Sequence, residues 1–115
     1  MGNEDEIDPF NLDRLTLENG ETFGVPKNMT GESRTLIIKH LNLINSEKGK
    51  ENPDPLWQRY HHRIGNIIGN LQLMAYTTPP DQQPAKFRGI INQLIDNDPN
   101  IKPFLEKLGV NITNS

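Results

Sequence analysis

Between Trp57 and Ala75 the apolar residues Trp57, Tyr60, Ile64, Ile67, Ile68, Leu71, Met74 and Ala75 recur in nearly unbroken steps of three and four. That period belongs to one face of an α-helix and to no strand. Asp54-Pro55 supplies a capping residue followed by a first-turn proline, and Thr77-Thr78-Pro79-Pro80 ends the pattern. A helix with a single apolar stripe is stable only when the stripe is buried, so the rest of the chain must provide the opposing wall.

Three further segments can do so. Residues 31–46 predict a helix capped by Thr30 or Ser33, with Ile37, Ile38, Leu41 and Ile44 on one face and Leu36 and Leu43 beside it. The stretch "SEKGKENPDP" that follows holds Gly49, Pro53 and Pro55 in a charged run and predicts an exposed loop. After the prolines, Asp81 is the expected cap of a helix carrying Phe87, Ile90, Ile91, Leu94 and Ile95. Asp98 or Asn100 opens a short fourth helix with Ile101, Phe104, Leu105 and Leu108, tolerating Pro103 in its first turn and stopping at Gly109. Upstream, Leu15 and Leu17 alternate with polar neighbours, as do Phe23 and Val25, on either side of Asn19-Gly20. This pair favours a type I′ turn, so a hairpin is predicted over 14–25. A lone hairpin is marginal in water and must lie on the helices. The expected fold is therefore mainly α: a small bundle of three to four helices with a short N-terminal β-hairpin.

The charge is uneven. Residues 1–21 hold seven acids against one base, Arg14, whereas 22–115 hold eight acids and eleven bases. Residues 1–11 lack apolar periodicity and predict a flexible acidic tail, leaving 12–112 as a single helical domain. Such a tail favours solubility; the sharper alternative is that it covers a basic surface until a partner displaces it. No apolar run is long enough to span a membrane, no basic-then-apolar leader opens the chain, and cysteine is absent. The expected location is cytoplasmic, with no membrane partner.

Gly65-Asn66 and Gly69-Asn70 interrupt the best helix. Each interior glycine costs a helix about 1 kcal/mol relative to alanine. On a helical wheel both glycines lie off the core stripe, in a line with Gln58, His62 and Gln72 and beside Arg63. The favoured expectation is close approach of another backbone, from this chain or a second one, with the asparagines bonding across. The alternatives are a helix break at Gly65 and a shallow groove for a ligand or a nucleic-acid backbone.

"LWQRYHHRI" gathers Trp57, Arg59, Tyr60, His61, His62 and Arg63. Arginine and aromatic groups together stack bases and pair phosphates, and Lys48, Lys50, Lys86 and Arg88 would extend the positive strip. Trp57 and Tyr60, however, fall on the core stripe. Adjacent histidines point about 100° apart on a helix and do not converge on one metal. No nucleophile elbow and no phosphate-binding glycine loop is present. The expectation is a non-enzymatic protein–protein interaction module without cofactor or metal: an adaptor, inhibitor or assembly subunit. Its surface would include Arg59, His62, Arg63, Gly65, Asn66, Gly69 and Asn70. The partner is another protein, and self-association is compatible with the same surface. The alternative is a subunit contacting RNA or single-stranded DNA through 57–63, although an acidic pI of about 5.5 argues against it.

Overall fold

The computed structural model describes residues 12–112; the expected tail over 1–11 lies outside the described residues. Strands β1 (Leu12–Thr16) and β2 (Thr22–Pro26) form an antiparallel hairpin. Four helices follow: α1 (Gly31–Glu47), α2 (Pro55–Thr77), α3 (Gln83–Asn97) and α4 (Lys102–Lys107). The fold is mainly helical with an N-terminal hairpin, as the sequence predicts. No helix among the described residues is long and apolar enough to cross a membrane.

The hairpin turn differs from the predicted one. The Leu17 N–H donates to the Glu21 carbonyl at 2.7 Å, and the Gly20 N–H donates to the Leu17 carbonyl at 3.0 Å. Glu18 and Asn19 are thus the central turn residues, and Gly20, at φ +92°, is the left-handed residue that follows. This is a three-residue loop with a glycine bulge instead of a type I′ turn. Asn19 contributes through its side chain, whose Oδ1 accepts the Glu21 N–H at 3.0 Å. Strand pairing also starts earlier than predicted, at Leu12 opposite Pro26.

α2 is the spine. The eight apolar residues of its sequence stripe are the eight that the fold buries. Asp54 caps it by accepting the Leu56 N–H at 2.8 Å. α1 presents a different face from the one its isoleucines predict. Ser33, Leu36, Ile37, His40 and Glu47 are buried, while Ile38, Leu41, Leu43 and Ile44 are half-buried. The reason is that α1 has two neighbours: α2 on one side, and the hairpin on the other, where Leu17 and Phe23 face Leu41 and Ile44. Thr30 holds the N-cap position of α1 but makes no side-chain capping bond.

α3 also begins later than expected. Pro80–Gln82 forms a 3₁₀ turn, and Asp81 lies within it rather than capping the helix. Gln83 opens α3 with a fully buried side chain. Its Oε1 accepts the Thr30 N–H, and its Nε2 donates to the Asn28 and Thr78 carbonyls, each at 3.0 Å. One amide therefore ties the start of α1, the end of α2 and the start of α3, with its three groups satisfied. Asp98 closes the next corner, accepting the Asn100 N–H at 3.1 Å and the Tyr60 hydroxyl at 3.1 Å. α4 ends in a Schellman motif: Val110 N–H to Leu105 O and Gly109 N–H to Glu106 O, both at 3.0 Å, with Gly109 at φ +83°.

Candidate interaction surface on helix α2

α2 contains no Asp or Glu, although it holds two arginines and two histidines. Its core stripe faces inward, and apart from half-buried Leu56, His61 and Gln72 its other positions are exposed. His62, Gly65, Gly69, Leu73 and Tyr76 succeed one another in steps of three and four and form one exposed line, with Asn66 and Asn70 beside it. Leu73 is 62% exposed and Tyr76 52%. They are the large apolar residues that the described fold leaves in water, and both stand at the C-terminal end of this line. Arg59 and Arg63, also exposed, stand at its N-terminal end. Neither arginine forms an ion pair among the described residues; Arg59 lies over the Tyr60 ring, 5.5 Å from its centroid.

The glycines do not play the packing role that the sequence suggested within this chain. A Cβ added at Gly69 would meet nothing within 4 Å, and one at Gly65 would meet only His40 Nε2, at 3.9 Å. No backbone approaches either. The helix runs through both without a break, and positive φ among the described glycines occurs at Gly20 and Gly109. The expectation of a close intrachain approach is therefore corrected, and so is the alternative of a break. The reason is that α1, α3, α4 and β2 all contact α2, whose buried residues are the eight of its apolar stripe, and none of them comes within 4 Å of a Cβ at Gly69.

Beneath Gly65 lies His40 of α1, 2% exposed. Burial, and secondarily the charge of nearby His61, lowers its pKa to about 4. Its Nδ1 is buried without a hydrogen-bond partner. His61 is held differently. Its ring stacks on Trp57 with centroids 4.1 Å apart, and its Nδ1 donates to the Trp57 carbonyl at 2.7 Å. His62 leans on His61 with centroids 4.0 Å apart and faces solvent. Among the described residues no three His, Asp or Glu side chains converge on a position able to hold a metal.

The residues expected to contact nucleic acid are spread over the molecule. Trp57 and Tyr60 are buried in the core, so neither presents a ring for stacking. Lys50 is paired with Glu47 at 2.7 Å, and Lys48 is exposed at the C-cap of α1. Lys86 is exposed on α3. Arg88 donates to the Asn111 carbonyl at 2.8 Å and lies 3.4 Å from the Glu32 carboxylate. Glu32 and Lys48 stand at opposite ends of α1, about 24 Å apart at 1.5 Å per residue. Arg88 therefore belongs to a different end of the fold from Lys48 and Lys50.

Leu73 and Tyr76 are absent from the sequence-derived surface. They were legible there, since both fall outside the core stripe of α2 and no other predicted element claims them. No protein-family model matches this chain, and neither a curated protein nor a solved structure shows similarity to it.

Proposed function

We propose that this chain is a non-enzymatic protein–protein interaction module, located in the cytoplasm, that binds its partner through the outward face of α2. The observation that carries this reading is the exposure of Leu73 and Tyr76 on the same acid-free face as His62, Gly65 and Gly69. Tyrosine and arginine are enriched where protein interfaces concentrate their binding energy, and exposed apolar groups rimmed by polar ones mark such surfaces. The glycines support the reading from the other direction. Helix propensity alone favours alanine at an exposed position, so two glycines over open space fit a surface that something else must approach closely.

The test is affinity capture from the source cell with the wild-type chain and with the Leu73→Asp/Tyr76→Asp variant, each with and without nuclease. The expected outcome is a protein that co-purifies with wild type, survives nuclease and is lost from the variant. Retention of the same protein by the variant would move the interface elsewhere. Loss on nuclease treatment would favour the alternative contact with RNA or single-stranded DNA, made through Arg59, His62 and Arg63 without aromatic stacking.

A further inference from the structure

The geometry points to a notch in α2 at Gly65, floored by His40 of α1, as the seat of a single carboxylate oxygen from the bound partner. This assignment rests on reading the outward face of α2 as a binding surface, and it names one group on the protein that covers it.

Two residues on neighbouring helices make the notch. Gly65 is exposed on α2, and the atom that its missing side chain would meet is Nε2 of His40, 3.9 Å from where a Cβ would stand. The His40 side chain is otherwise enclosed, at 2% exposure. One oxygen resting against the Gly65 Cα closes the gap to Nε2 with a hydrogen bond of about 2.9 Å. A side chain at position 65 would occupy that place. Helix propensity favours alanine there, so the glycine fits a position kept open for something other than the helix.

The ring fixes what can enter. Burial, and then the charge of His61, lowers the His40 pKa to about 4, so the ring is neutral at pH 7. A neutral imidazole carries one N–H and one lone pair. Nδ1 is sealed in the fold without a hydrogen-bond partner. A sealed N–H is costlier to leave unpaired than a sealed lone pair, so the proton belongs on Nε2, at the notch. The notch therefore presents a donor and calls for an acceptor.

The surroundings select a charged acceptor. Among the described residues the ionisable group acting on His40 is His61, and no carboxylate does so. α2 holds two arginines and no Asp or Glu, so its field attracts an anion. A carboxylate oxygen also accepts an N–H more strongly than a neutral carbonyl does. Gly69, one turn further on, meets nothing within 4 Å. The backbone that bears the carboxylate can thus lie close along the helix toward Leu73 and Tyr76.

The test uses the full-length ¹⁵N-labelled chain at pH 7, with sodium acetate as the probe. Sodium chloride at matched ionic strength and neutral acetamide are the controls. Histidine ring spectra should show His40 protonated on Nε2 before any addition; a proton on Nδ1 overturns the proposal. Acetate should then shift the His40 Nε2 and Gly65 amide signals along a saturating curve, several-fold further than either control. An absent response, or one matched by chloride or acetamide, overturns it. So does a shift spread over the arginine-bearing surface without focus at Gly65. Gly65→Ala should abolish the response, whereas Gly69→Ala, on the same face, should keep it; a response that survives Gly65→Ala removes the notch. Should Gly65→Ala fail to fold, the wild-type chain decides through a nuclear Overhauser effect from the acetate methyl to the Gly65 α-protons. Its absence at saturation overturns the site. None of these readouts needs the partner. A chain that captures its protein through Leu73 and Tyr76 yet ignores acetate keeps the surface and loses the notch.

Discussion

At the scale of single residues, Gly65 and Gly69 decide between a glycine kept for folding and one kept for binding. Neither meets steric obstruction, since the nearest atom to a new methyl is His40 Nε2 at an ordinary contact distance of 3.9 Å. Gly65→Ala and Gly69→Ala should therefore each stabilise the fold, by up to about 1 kcal/mol, through helix propensity and a less flexible unfolded chain. Urea unfolding measures this directly, and a loss of stability at either site would show a close contact that the fold does not contain. If the proposed surface is right, the same two alanines should weaken partner capture while raising the urea midpoint. Trp57 behaves oppositely. It is 8% exposed within the core cluster, so Trp57→Ala should cost about 3–5 kcal/mol. Gln83 is the polar counterpart. Gln83→Met removes an acceptor from the Thr30 N–H and a donor from two carbonyls, and with the resulting groups unpaired should cost about 2–4 kcal/mol. A Gln83→Met chain as stable as wild type would mean that water replaces the amide.

At the scale of elements, the long helix was the most legible part of the sequence and the hairpin turn the least. In α2 the period of the apolar residues alone identifies the buried set, because a 23-residue helix packed on one side has no other way to arrange them. α1 misleads because the hairpin covers its second side, so its isoleucines share burial with Ser33, His40 and Glu47. The polar members are not signalled by hydropathy. Glu47 is buried because its carboxylate accepts the Asp54 N–H at 2.8 Å and holds Lys50, organising the loop between α1 and α2. The start of α3 was hidden by Pro79-Pro80, which fit a 3₁₀ turn as readily as a loop before a capped helix. In the hairpin, Asn-Gly is compatible with two turn types, and the choice falls to strand register. Register assigns a left-handed position to Gly20, at φ +92°. Gly20→Ala should thus destabilise by about 1 kcal/mol, the strain of a Cβ at positive φ, although the site is sterically open. Gly20→Asn should cost less, because asparagine tolerates that conformation. Equal costs for the two variants would mean that the loop had changed its turn type.

At the scale of the whole molecule, the ionisable groups combine to make the fold sensitive to acid in two separate pH windows. His40 sits between α1 and α2 with a pKa of about 4, against 6.5 for an unhindered imidazole. Between those values the unfolded chain takes up a proton that the folded chain refuses. Stability is therefore complete above pH 6.5 and declines as the pH falls toward 4. The full effect approaches about 3 kcal/mol, of which about 2 kcal/mol is lost between pH 7 and 5. The carboxylates act lower. Asp13 is held below its usual range by Arg34 and then Lys27. Glu47 is lowered by Lys50 and then the Asp54 N–H, and Asp54 by Lys107 and then the Leu56 N–H. Their contributions are present above the ordinary carboxylate pKa and are lost as the pH falls through the lowered values, below the histidine window. His40→Gln separates the two. It is less stable than wild type at pH 7 if the amide finds no partner beside Gly65, but its urea midpoint should barely change between pH 7 and 5, while wild type loses stability over that interval. Both chains should then fail together at still lower pH, where Asp13, Glu47 and Asp54 release their partners. A wild-type chain whose midpoint is flat from pH 7 to 5 would mean that protonated His40 reaches water through the gap left by the missing side chain of Gly65. In that case Gly65→Ala, by narrowing the gap, should restore the lost pH dependence.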